Sequence, residues 1–82
     1  MEDSVMKKVT IQLDSIDKVN SFVNNVAAFD SDFDLVSGRY VIDAKSIMGI
    51  FSLDLSKPIE LDIHAEKDID SIMKMLKPYI VE

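Results

Sequence analysis

The sequence predicts an α+β domain in which helices cover one face of an antiparallel or mixed four-stranded sheet. Four short segments alternate apolar and polar residues, as half-buried strands do, and three others repeat apolar residues every three or four positions, as helices do. The chain has 82 residues, with no internal repeat and no linker, so we expect one domain over 1–82. The predicted element order is β-α-β-β-α-β-α.

The first strand and the first helix follow directly from the amino-terminal pattern. Residues 8–13, KVTIQL, alternate strictly and are predicted to form a half-buried strand. Asp14 and Ser15 then interrupt the alternation and provide side-chain oxygens of the kind that cap helices. We expect a helix over 15–28. Its apolar face should contain six residues spaced by three and four: Ile16, Val19, Phe22, Val23, Val26 and Ala27.

A hairpin and a short helix are predicted next. Strands over 32–37 and 40–44 flank Ser37-Gly38, a tight turn in which the glycine can adopt a positive φ. Residues 46–52 are predicted to form a short helix that Ser46 caps.

The carboxyl-terminal part of the chain repeats the strand-then-helix pattern. Residues 59–65, IELDIHA, alternate and predict the fourth strand. A helix is expected over 67–77, with apolar residues as far as Ile80 on its buried face. Pro78 should end or kink that helix.

Composition excludes several classes of function. The 15 acidic and 9 basic residues give a formal net charge of −6, which disfavours direct nucleic-acid binding. The chain has no cysteine, which excludes disulfides, thiolate metal sites and a cysteine nucleophile, and fits a cytoplasmic location. The amino terminus lacks the apolar core of a signal peptide, and no apolar run is long enough to cross a membrane.

The chain also offers little catalytic chemistry. It has one histidine, and we find no pairing of a nucleophile with a base, so an enzyme is not expected. His64 is interpreted as a solvated strand residue. Asp30, Asp32 and Asp34 lack the glycine and the terminal glutamate of a calcium loop and are interpreted as a solvated acidic face. No metal and no cofactor are predicted.

The segment KSIMGIFSL, residues 45–53, resembles the regulatory-serine signature of HPr, the histidine-containing phosphocarrier protein of the sugar phosphotransferase system. The segment AFDSDFDL, residues 28–35, is similar to the end of the first helix and the second strand of HPr proteins. The resemblance implies an open-faced β-sandwich, with a four-stranded antiparallel sheet and three helices on one face.

The phosphocarrier segment departs from that family. HPr proteins carry the pattern G-x-H-A-R-P at the start of the first helix, whereas here the stretch 13–19 reads LDSIDKV and has no His, Arg or Pro. Asp14 and Asp17 would repel an incoming phosphoryl group. Ser15 could accept phosphate, but a serine phosphoester is too stable to pass it on. Ser15 and Asp17 are therefore interpreted as a degenerate phosphocarrier site.

The chain thus resembles the histidine-less branch, the catabolite-repression HPr-like proteins. In that branch HPr kinase/phosphorylase modifies the regulatory serine with ATP, and the product is a corepressor of a LacI-type transcriptional regulator. The resemblance implies that Ser46 is the phosphorylated residue here. It also implies that Ile47, Met48 and Phe51 form an exposed apolar patch that binds protein partners.

Other interpretations remain open from the sequence. Ser46 serves as an N-cap whether or not it is modified, and apolar residues of a short helix can simply pack inward. The chain could be a degenerate HPr paralogue that binds a partner without phosphorylation. It could instead be a small-molecule-binding α+β domain of the ACT or ferredoxin-like kind.

Overall fold

The computed structural model describes residues 7–81, and its elements follow the predicted order. The expectation about a signal peptide rests partly on residues 1–6 and so lies outside the described residues. The elements are β1 (Lys7–Ile11), α1 (Ile16–Ala27), β2 (Asp32–Ser37), β3 (Tyr40–Asp43), α2 (Ile47–Phe51), β4 (Ile59–His64) and α3 (Ile69–Leu76). Within 7–81, no helix is both long and apolar enough to cross a membrane.

The four strands form one antiparallel sheet in the order β1-β4-β2-β3. Leu35 of β2 lies opposite Leu61 of β4 and, on its other side, opposite Ile42 of β3. β1 and β2, which α1 connects, run parallel to each other with β4 between them, so the sheet contains a split βαβ unit.

The core lies between the sheet and the helices. Along β4, buried Ile59, Leu61 and Ile63 alternate with half-buried polar residues, so one face of the sheet is covered and the other is open. The covered face meets the buried sides of all three helices in a single cluster. Its fully buried members from the helices are Val19, Phe22, Val26, Ile50, Ile72 and Leu76. The open-faced sandwich is thereby confirmed.

The glycine of the hairpin turn has the predicted positive φ, but the turn lies at Gly38-Arg39, one residue later than predicted. Gly38 adopts φ 61°, and Gly38 and Arg39 connect β2 to β3. A glycine with positive φ at the first central position is the pattern of a type II′ turn, whose twist matches that of the flanking strands.

The carboxyl-terminal segment differs from the prediction. α3 begins at Ile69 because Asp68, with φ 61°, is left-handed, and it ends at Leu76, two residues before Pro78. Ile80 does not lie on the helix; it pairs instead with Ile11 of β1. The backbone N–H groups of Gln12 and Val81 donate across this junction, to Tyr79 O and Thr10 O respectively, both at 2.9 Å. β1 ends at Ile11, earlier than predicted, because its partner there, Ile59, is the first residue of β4. The pairing with Ile80 adds a short strand-like segment beside β1.

Both ends of α1 also differ from the expected apolar face. Ile16 is 67% exposed and Ala27 is exposed, whereas Val19, Phe22 and Val26 are buried as predicted. Ile16 is the first helical residue and projects beyond the edge of the core.

Candidate functional site

Ser46 lies at the amino terminus of α2 and caps that helix, as predicted. Its backbone is extended, and its Oγ accepts a hydrogen bond from Gly49 N at 3.2 Å. Its own N–H donates to Asp43 O at 2.9 Å, which fixes the entry of the chain into α2. The residue is half-buried. The serine thus has a structural function independent of any modification.

Lys45, which precedes Ser46, directs its charge elsewhere. Its Nζ donates to Phe29 O at 2.8 Å and lies 5.9 Å from the centroid of the Phe33 ring. The ammonium therefore donates a hydrogen bond to a carbonyl just beyond the end of α1, where the helix dipole favours a cation.

Two of the three predicted patch residues are exposed. Met48 is 79% exposed and Phe51 is 44% exposed, and their spacing of three places them on neighbouring positions of α2. Ile47 is half-buried and packs against the core, so it is not a freely exposed member of the patch. The difference arises because Ile47, the first residue of α2, lies on the side of the helix that faces the core, as does buried Ile50 three residues later.

The start of α1 contains the residues of the degenerate phosphocarrier site. Ser15 caps the helix, with its Oγ accepting from Lys18 N at 3.1 Å. Asp14 pairs with Lys18 at 3.3 Å, and Asp17 is exposed in the first turn. The helix begins with acidic and hydroxyl side chains, which stabilise it through its dipole and disfavour an added anion.

A shallow surface groove of about 510 Å³ connects the start of α1 with α2. Ser15 and Ile16 line one side, Phe51 and Leu55 line the other, and Asp14 and Ser56 complete it. The structure thus brings Ser15 and Ile16 of α1 and Phe51 of α2 to one surface. Ile16, Phe51 and Leu55 are the apolar residues that line the groove, and we take Met48, three residues before Phe51 on α2, as its rim. We refer to these four residues as the apolar groove and its rim. Sequence reasoning missed Ile16 and Leu55; the placement of Ile16 at the very start of the helix was the available signal.

His64 does not have the solvated environment that the sequence suggested. Its Nε2 lies 2.9 Å from Asp34 Oδ2, and its side chain is only 18% exposed. The contact forms because β2 and β4 pair with Asp32 opposite His64, which places Asp34 diagonally beside the ring. Asp34 is likewise half-buried, so the acidic face is not uniformly solvated.

The open sheet face carries a row of like charges. Asp43, Asp34 and Asp62 lie directly opposite one another on β3, β2 and β4, and Lys8 of β1 lies opposite Asp62. A hydrogen bond with the Asp62 carboxyl, together with desolvation and the negative charge of Asp62, raises the pKa of Glu60. Within residues 7–81, no group of three or more His, Asp or Glu side chains is placed to hold a metal ion.

Comparisons with known proteins identify the family. The family model described as "PTS HPr component phosphorylation site" matches residues 17–80. A crystal structure described as HPr-C-His from Thermoanaerobacter tengcongensis is similar to this chain, with a TM-score of 0.73, 29% identity and 89% of each chain covered. None of the curated proteins matches significantly. Since the family model covers most of the chain and the fold agrees, this protein belongs to the HPr family of phosphocarrier proteins of the phosphotransferase system.

Proposed function

We infer that this chain is a non-catalytic regulatory member of the HPr family, which acts in the cytoplasm by binding protein partners and does not carry phosphate on a histidine. One observation carries the proposal. The surface where the family's phosphocarrier segment would lie is formed by Ser15, Ile16 and Phe51, a hydroxyl and two exposed apolar side chains.

The charge and chemistry at the start of α1 argue against a phosphocarrier. The only histidine of the sequence is His64, which lies on β4 and contacts Asp34 on the open sheet face. Asp14 and Asp17 flank Ser15 and would repel a phosphoryl donor. The family model begins to match at residue 17, so most of the stretch that corresponds to the phosphocarrier segment lies outside the match.

The apolar groove and its rim support a protein-binding function. Ile16, Met48 and Phe51 are three of the five large hydrophobic residues that are prominently exposed in the described chain. Apolar side chains clustered on a surface mark interaction sites, and methionine adapts to partners of different shape. The HPr family works through protein partners, and this groove is the surface that we assign to them.

Phosphorylation of Ser46 is the regulatory step that we propose for this surface. An HPr kinase/phosphorylase would transfer the γ-phosphoryl group of ATP to Ser46 Oγ, with loss of the hydroxyl proton and release of ADP. The phosphate adds about −1.5 to −2 charge two residues from Met48. A partner arginine could grip it in bidentate fashion while apolar side chains enter the groove. A LacI-type transcriptional regulator is the partner that the family resemblance suggests.

The hydrogen bond of Ser46 Oγ with Gly49 N favours a second candidate. A half-buried serine whose hydroxyl is already used as a cap is less accessible to a kinase. In this second function the same groove binds a partner without phosphorylation, and the protein is a degenerate HPr paralogue.

Partner binding before and after kinase treatment distinguishes the two candidates. The chain is incubated with HPr kinase/phosphorylase and ATP, and calorimetry then measures its affinity for a LacI-type regulator. We expect binding only after treatment, and we expect Phe51→Ala and Met48→Ala to weaken it at least about tenfold, as removal of an interface anchor does.

Tyr40→Ala is the matched control, because Tyr40 is also exposed, at 69%, but lies outside the groove. Its affinity should equal that of the wild type. Binding that is the same before and after treatment, and that Phe51→Ala removes, would support the unregulated module. Binding that Phe51→Ala and Met48→Ala leave unchanged would contradict both candidates.

A further inference from the structure

The two edges of the sheet differ in how they are protected. At the β1 edge, the carboxyl-terminal segment pairs with residues 10–12, and the rest of the strand consists of Lys7, Lys8 and Val9. Lysines on an edge strand discourage pairing with another chain. At the β3 edge, no further strand from residues 7–81 pairs with β3. β3 has no lysine or proline and exposes Tyr40 by 69% and Val41 by 64%.

The hydrogen-bond pattern shows which backbone groups of β3 face outward. Ala44 N donates to Phe33 O at 2.9 Å, which makes Ala44 and Phe33 a hydrogen-bonded pair. Such pairs alternate along an antiparallel ladder, so Ile42 also bonds inward, to Leu35. The N–H and C=O groups of Val41 and Asp43 consequently point away from β2, toward the open edge.

We propose that two copies of this chain pair antiparallel through their β3 edges, with the two-fold axis at Val41. In this register, Val41 of each copy exchanges both backbone hydrogen bonds with Val41 of the other. Tyr40 then lies opposite Ile42 of the second copy, on the side of the sheet that the helices cover. The two sheets join into one continuous eight-stranded sheet.

Charge complementarity favours a second copy of this chain as the partner that pairs with the β3 edge. With Val41 on the axis, Arg39 of each copy lies opposite Asp43 of the other, so two opposite-charge pairs form at once. Both side chains are exposed in the described chain. Asp43 Oδ1 already accepts from Lys45 N at 2.9 Å, which restricts the position of the carboxylate. The register that forms these charge pairs also lets the outward-facing N–H and C=O groups of Val41 bond to the second copy.

The proposal rests on the sheet edge and is independent of the function assigned to the groove. An edge of four residues contributes a small interface, and small interfaces form weak, transient complexes. The association should therefore be measured up to about 1 mM protein, where a complex worth about 4 kcal/mol is half formed.

Single-cysteine variants test the register, because the natural sequence has no cysteine. Val41→Cys places the two thiols on residues directly opposite each other, with Cα atoms about 5.5 Å apart, within disulfide range. Tyr40→Cys is the matched control on the adjacent, equally exposed residue. Its thiols would be offset by two residues along each strand, with Cα atoms about 8–9 Å apart, beyond that range.

In a glutathione redox buffer we expect Val41→Cys to form a disulfide-linked dimer and Tyr40→Cys to remain monomeric. Equal cross-linking of both variants would indicate random collision and would overturn the proposal. Absence of cross-linking by Val41→Cys would overturn it as well, and would leave the edge to a strand of some other protein.

A charge exchange tests the pairing without cysteines. Arg39→Asp and Asp43→Arg should each weaken dimerisation about tenfold in sedimentation equilibrium, since each replaces two attractive pairs by repulsive ones. The double variant restores both pairs and should recover dimerisation. Because Asp43→Arg also removes the hydrogen bond to Lys45 N, melting temperatures are measured to show that each variant is folded. Two singly substituted variants that dimerise like the wild type would contradict the predicted pairing.

Discussion

Gly49 of α2 lies directly against Ile42 of β3. A Cβ added to Gly49 would stand 2.5 Å from Ile42 Cγ2 and 3.2 Å from Ser46 Oγ. Ile42 is β-branched, so this methyl group is attached directly to its Cβ and has little freedom to move away. The glycine is therefore what allows α2, with Met48 and Phe51, to lie close to the sheet.

Gly49→Ala should consequently destabilise the fold, although alanine is the better helix former. The helix propensity favours alanine by up to about 1 kcal/mol, whereas overpacking costs about 1–3 kcal/mol. We expect a net loss of about 1–2 kcal/mol in the free energy of unfolding, measured with urea. In an Ile42→Ala background the loss should shrink or reverse. A stabilising effect of Gly49→Ala in the wild-type background would show that α2 does not pack this closely.

Tyr79 ties the carboxyl-terminal segment to α1. Its hydroxyl lies 2.5 Å from Ser21 Oγ and accepts from Asn25 Nδ2 at 3.0 Å, and its ring packs edge-on against Phe22 with centroids 5.5 Å apart. Tyr79→Phe keeps the ring and removes the hydroxyl, so we expect a loss of about 1–2 kcal/mol in the free energy of unfolding. Tyr40→Phe is the control; its side chain is exposed, and no change is expected. Equal effects would contradict the contacts of Tyr79.

The contacts of Tyr79 illustrate what the sequence could not reveal. The order of the elements is encoded locally, in alternation along each strand and in the three- and four-residue spacing of each helix, and it was predicted fully. The pairing of Ile80 with Ile11 joins residues that are distant in sequence, and no local pattern marks it. The helical spacing even placed Ile80 on α3, where it does not lie.

The candidate site was predictable to a similar degree. The helix-capping function of Ser46 follows from residue type and local position, whereas the exposure of Met48 and Phe51 was expected from the resemblance to HPr proteins. The contact of His64 with Asp34 depends on the register between β2 and β4, which alternation alone does not specify. The groove likewise exists only because α1 and α2 meet in space, so Leu55 could not be assigned to it in advance.

Glu60 should make stability depend on pH. Its pKa is raised above the ordinary value of 4.5, because the hydrogen bond and charge of Asp62 outweigh the attraction of Lys8. A raised pKa means that the protonated form is favoured in the folded state. The contribution of Glu60 is thus fully present below pH 4.5 and is lost as the pH rises through the folded value.

Glu60→Gln removes this titration and should stabilise the protein at pH 7 by about half a kcal/mol or less, the scale of exposed charge interactions. The stabilisation should fade as the pH falls below 4.5. Asp54, whose pKa is lowered by hydrogen bonds from Ser56, loses its contribution as the pH falls, but it does so in both proteins and cancels in the difference. Urea unfolding of both proteins across this pH range measures the effect. A Glu60→Gln variant that is less stable at pH 7 would contradict the assignment.

Ser46 should contribute to stability even when unmodified. Ser46→Ala removes the acceptor for Gly49 N and should cost about 1 kcal/mol. Ser46→Asp supplies another good capping oxygen and should retain most of the stability, so it separates the cap from any regulation. Thermal unfolding of the three proteins provides the comparison. Equal destabilisation by both substitutions would show that the hydroxyl does more than cap the helix.

Intact-mass spectrometry tests the central claim most directly, that this HPr-family chain is regulated at Ser46 and is not a phosphocarrier. The wild type and the well-capped Ser46→Asp variant are incubated with ATP and HPr kinase/phosphorylase, and separately with phosphoenolpyruvate and enzyme I. We predict one added phosphoryl group on the wild type with the kinase, none on Ser46→Asp, and none on either protein with enzyme I. Acid-labile phosphorylation that depends on enzyme I, or equal modification of both proteins by the kinase, would contradict the claim.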